Sequence, residues 1–120
     1  MHKYKHILGT VILSTLMLTG CNTASNAYPA ATHSYNISGA AYKTAVDKIQ
    51  RLSDLGRVSK ADFALALALT ADERVKAKVV DADLAAWEAT RLEPAAYKAD
   101  FKALQDAQAA VIVLANRQSL

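Results

Sequence analysis

The feature that most limits the possible folds is the stretch 57–93, which holds neither glycine nor proline and is dense in alanine. Gly and Pro cost a helix interior about 1 and 3 kcal/mol relative to Ala, the best helix former. A run of this length without a breaker predicts one long helix, over about 60–91. Its start is marked by Ser59-Lys60-Ala61-Asp62, a capping-box pattern with Asp in place of the usual Glu. Phe63, Leu67, Ala71, Val75, Val79, Ala82, Ala86 and Ala89 recur at near-helical spacing and are expected to form the core seam. Leu65, Leu69, Val80, Leu84 and Trp87 lie off that seam. Thr70-Ala71-Asp72-Glu73 repeats the capping pattern, so a break near Thr70 is the alternative to continuity.

Two shorter helices are expected on either side. Over 39–55, Tyr42, Ala45, Val46, Ile49 and Leu52 fall on one face, with Ser38 as a cap and Gly56 as the left-handed terminator. Over 94–117, Pro94 suits a first helical position. Tyr97, Phe101, Leu104, Val111 and Leu114 mark the apolar face there, and Ile112 and Val113 widen it. Arg117 sits where a cation favours a helix C-terminus. Short connections imply antiparallel neighbours. The expected fold is all-α: a small antiparallel three-helix bundle, or a helical hairpin with a third helix. The helical domain takes in 39–120. An Ala-rich seam permits close axes but buries little area, which leaves room for a homo-oligomer.

The N-terminus reads differently. Lys3 and Lys5 precede a mostly apolar run over 7–18. That is the charged and apolar order of a secretory signal, too short for the roughly 20 residues that cross a bilayer. Leu18-Thr19-Gly20-Cys21 closes the run and contains the only cysteine. This stretch resembles the lipobox of bacterial lipoproteins. The resemblance covers about residues 1–24. It implies a signal peptide over 1–20, cleavage between Gly20 and Cys21, and acylation of Cys21 as a membrane anchor. Asn22, where Asp would retain an enterobacterial lipoprotein in the inner membrane, implies an outer-membrane protein facing the periplasm. The competing reading is an unmodified thiol after an ordinary signal peptide. A lone cysteine without a partner in an oxidising compartment is better explained by acylation.

Residues 22–38 are small and polar, with Pro29 among them. They are read as a flexible tether behind Cys21, with an r.m.s. reach of roughly 20–25 Å. Tyr28, His33 and Tyr35 are then solvated linker residues or contacts to headgroups or a partner.

Without residues 1–20, twelve basic and eleven acidic side chains remain, a net charge of +1. No basic stripe points to nucleic acid. His33 is the single histidine of that mature chain, and no cysteine would stay free. These residues supply neither a zinc cluster nor a nucleophile with its base. No glycine loop cradles phosphate. No cofactor and no enzyme activity are expected. Asp81 and Asp83 point about 200° apart on a helix. Asp72 or Glu73 with Lys76, Glu88 with Arg91, and Lys102 with Asp106 have the spacing of surface pairs. Trp87, with Leu84 and Arg91 on one face, is either an interface anchor or, the favoured reading, the closing residue of the core.

These features point to an envelope lipoprotein whose helical domain contacts an envelope protein, peptidoglycan or its own copies. The alternatives are a phage- or plasmid-encoded exclusion or lysis-associated lipoprotein, and, behind it, an enzyme inhibitor.

Overall fold

The computed structural model describes residues 24–118, with side chains described from Ala27. The expected signal peptide, and the expected cleavage and lipidation at Gly20 and Cys21, lie outside the described residues. Three helices follow in order: α1 over Ala24–Asp54, α2 over Lys60–Thr90 and α3 over Tyr97–Arg117. The fold is an all-α three-helix bundle, with no strand among the described residues. At 1.5 Å per residue α1 and α2 are each about 46 Å long. They account for the 50 Å long axis of the molecule. α3 packs extensively on both, whereas α1 and α2 touch each other least.

The expected boundaries of α2 hold. The Ser59 side chain accepts from the Asp62 amide at 3.1 Å, and the helix runs unbroken through Thr70. Asp62, held by that cap in the first turn, also receives Arg117 at 2.9 Å and the Gln118 amide at 2.9 Å. This ties the end of α3 to the start of α2. α1 ends in a Schellman motif: Arg57 N–H donates to Leu52 O, Gly56 N–H donates to Ser53 O, and Gly56 has φ 71°.

The first correction concerns residues 24–38. They are helix, not tether, so Ser38 lies mid-helix and caps nothing. The helical signal there is carried by small residues. Ala31, Ser34, Ser38, Ala41 and Ala45 are buried at spacings of three and four, ahead of Ile49 and Leu52. A search for large apolar side chains passes over such a seam. Pro29 sits early in α1, where it forfeits a single amide bond toward the start of the helix. α1 is therefore as long as α2.

The second correction concerns the α2 seam. Leu67, Val75 and Val79 are 58%, 63% and 44% exposed. The buried residues are Ala66, Glu73, Val80, Leu84 and Trp87. Positions 66, 73, 80 and 87 recur every seven residues, the repeat of a helix packed lengthwise against a partner. Glu73 hides that repeat, because a carboxylate is not expected inside. The third correction is smaller. Pro94 precedes α3 in a turn in which Tyr97 N–H donates to Pro94 O at 3.0 Å. Val113 is 61% exposed and does not widen the apolar face of α3.

The core divides into two clusters. Ala45, Ile49, Ala66, Val111, Leu114 and Ala115 pack near the α1–α2 connection. Ala31, Val80, Leu84, Trp87, Tyr97 and Leu104 pack at the opposite end, where α1 begins. Between the two, one polar side chain from each helix joins a buried chain. Ser38 donates to Gln108, and Gln108 donates to Glu73 at 3.1 Å.

Candidate functional site

The end of the bundle at which α1 begins is built from aromatic rings. Tyr28 and Trp87 meet edge-on with centroids 5.7 Å apart. Trp87 and Tyr97 do the same at 5.1 Å, and Tyr97 stacks on Phe101 at 5.7 Å. Edge-to-face contacts of this kind add to the area that the rings bury. Trp87 is 2% exposed and Leu84 7%. Both are core residues, so neither can serve as an exposed interface anchor. Arg91 remains on the surface.

Two tyrosines of the supposed tether fasten α1 to α2. The Tyr28 hydroxyl donates to Glu88 at 3.1 Å and the Tyr35 hydroxyl donates to Asp81 at 2.5 Å. Burial, then the acceptor carboxylate, pushes each phenol above its ordinary value. His33 is exposed on α1.

The expected Glu88–Arg91 pair does not form. Arg91 caps α2 in the left-handed conformation, φ 62°, and its amide donates to Trp87 O at 2.8 Å. That conformation takes Arg91 out of helical register with Glu88. Its guanidinium has no hydrogen bond or ion pair among the described residues. Tyr28, Pro29, Trp87, Glu88 and Arg91 line a cavity of about 260 Å³.

Two of the other expected pairs are present, Lys76–Asp72 at 2.7 Å and Lys102–Asp106 at 2.8 Å. Asp81 and Asp83 diverge, as their spacing requires. Asp81 faces Tyr35 on α1 and Asp83 faces Asp100 on α3. Burial, followed by the neighbouring Asp100 carboxyl, raises the Asp83 carboxyl to about 6. As carboxylates the two residues are acceptors only, which leaves Asp83 Oδ2 buried without a donor. A proton on one of them completes a hydrogen bond.

Among the described residues, an apolar strip lies exposed along the outer face of α2. Leu67, Ala71, Val75, Val79, Ala82 and Ala86 are all exposed along it. At its α1–α2 connection end the face runs into a groove of about 80 Å³ floored by Val46, Ile49, Phe63 and Ala66. Periodicity found this face but assigned it to the interior. Among the described residues no helix is long and apolar enough to cross a membrane. Nor do His, Cys, Asp and Glu gather there in a group able to hold a metal ion.

No family model matches the chain, and comparison with curated proteins and with solved structures likewise gives no match.

Proposed function

We propose that this is an envelope lipoprotein, anchored through Cys21 in the outer membrane and facing the periplasm, whose helical domain is a protein-interaction or structural module. The observation that carries the interaction part is the exposed apolar face of α2. Leu67, Val75 and Val79 are open to solvent on a helix that also has a fully buried side. A contiguous exposed apolar surface marks a contact site. Its small side chains suit a helix of a partner envelope protein or of a second copy, because Ala permits close axes.

The lipobox resemblance carries the anchor part. Ala24, already in α1, is three residues after Cys21. Three Cα steps reach about 10 Å at most. An anchored domain would therefore stand directly on the membrane surface.

Two measurements test the two parts. Metabolic labelling with a fatty acid should mark the wild-type chain and fail on Cys21→Ser, which should also remain uncleaved. Equal labelling of both would remove the anchor. A photo-crosslinking residue at Val75 should capture a discrete protein or a second copy in cells, and one at Lys102, on α3, should not. Identical capture from the two positions would remove α2 as the contact face.

A further inference from the structure

The cavity at the start of α1 combines an aromatic wall with two opposite charges. Trp87 and Tyr28 supply the rings, Glu88 a carboxylate and Arg91 a guanidinium. One oxygen of Glu88 accepts from Tyr28, and the other is left for a ligand. The left-handed cap at Arg91 keeps the two charges from neutralising each other. That conformation is costly for any residue with a Cβ, and residues held in it often mark functional sites. At about 260 Å³ the cavity is smaller than the 300–1,000 Å³ typical of pockets for drug-sized ligands.

We propose that this cavity binds the headgroup of a zwitterionic phospholipid, a phosphodiester that carries an ammonium group. The phosphodiester meets Arg91, whose planar fork suits phosphate oxygens. The ammonium meets Glu88 and the half-buried Tyr28 ring, by charge and by cation–π attraction. An anion alone would leave Glu88 opposed to it, and a cation alone would leave Arg91 opposed. A ligand bearing both charges answers both side chains. The choice of a lipid as the source rests on the lipoprotein reading. Tyr28 is four residues into α1 from Ala24, about 6 Å along the axis. Cys21 is within about 10 Å of Ala24. An acylated Cys21 thus brings the cavity to headgroup level.

The test uses the full chain in dodecyl maltoside, a detergent without phosphate or amine, titrated with glycerophosphoethanolamine. Calorimetry measures binding, and the fluorescence of Trp87, the only tryptophan, locates it. The expected dissociation constant is on the order of 1 mM, as befits so small a ligand. Arg91→Gly and Glu88→Gln should each weaken binding at least tenfold. Arg91→Gly removes the guanidinium while tolerating φ 62°, so a loss there is not a loss of fold. Inorganic phosphate and the monoester phosphoethanolamine should bind at least tenfold more weakly than the diester. An absence of saturable heat, or binding unchanged in either variant, overturns the proposal. Equal affinity for the monoester or for phosphate overturns the lipid as the source. The titration does not depend on acylation, so its failure leaves the Cys21 anchor standing. Headgroup binding by a chain that is never labelled at Cys21 would support the cavity and remove the anchor.

Discussion

Gln108 of α3 donates its side-chain amide to the Glu73 carboxylate of α2 at 3.1 Å, with both side chains inside the bundle. Ser38 of α1 completes the chain by donating to Gln108. Each helix contributes one polar group at the same level, between the two apolar clusters. Such a layer fixes the rotation of each helix, because any other register leaves a buried polar atom unpaired. Glu73 also acts on its surroundings. Burial first, then the charge of Glu73, pushes the Tyr42 phenol up to about 12, against a smaller lowering by Arg74.

Removing one member of this layer should cost more than removing all of it. Gln108→Leu leaves Glu73 without its donor and should destabilise the fold by about 1–3 kcal/mol. Adding Glu73→Leu and Ser38→Ala should recover most of that loss, since apolar replacement of both partners is close to neutral. Urea denaturation of the single and triple variants measures both. A triple variant less stable than Gln108→Leu would contradict the account.

Stability should rise as pH falls from 8 toward 5. The folded chain holds Asp83 at about 6, above its ordinary 3.8. Folding therefore favours the protonated form. The resulting stabilisation is complete below about 3.8 and disappears as pH rises through 6. Asp83→Asn should flatten the pH dependence and raise the melting temperature at pH 8. Melting curves by circular dichroism across this range decide it. A wild-type melting temperature that falls between pH 8 and 5 would count against the Asp83–Asp100 pairing.

Two substitutions at left-handed positions should have opposite signs. Gly56 has φ 71°, and a Cβ there would meet nothing within 4 Å. Gly56→Ala should lose about 1–2 kcal/mol from backbone conformation alone. Arg91 has φ 62°, so Arg91→Gly should gain about 1 kcal/mol. Chemical denaturation compares the pair directly, and a stabilising Gly56→Ala would refute the assignment of the α1 terminator.

Trp87→Ala should be among the most damaging single changes in the chain. It opens a hole between Tyr28 and Tyr97 and should cost about 3–5 kcal/mol. That is a large part of the 5–15 kcal/mol typical of a domain. Trp87→Phe should cost less, because one ring contact survives. Equal losses for the two variants would mean that the aromatic stack contributes little.

Local chemistry alone determined several parts of this protein. The continuity of α2, its Ser59 cap, the Gly56 terminator of α1 and the buried face of α3 through Leu104, Val111 and Leu114 all follow from residue type and spacing. Helix propensity and capping act over a few residues, so their effects can be read along the chain. The tertiary structure decided which side of α2 lies inside. Both the Leu67–Val75–Val79 face and the Ala66–Val80–Trp87 face have helical periodicity. The second is buried because Gln108 satisfies Glu73 and because Tyr28 and Tyr97 enclose Trp87, contacts made by α1 and α3. Residues 24–38 became helix for a similar reason. Ala31, Ser34 and Ser38 have little apolar area of their own, and their small size becomes favourable only when neighbouring axes come close. The cavity at Arg91 likewise exists only once the start of α1 lies against the end of α2. Its residues are about sixty positions apart in sequence, and no local pattern joins them.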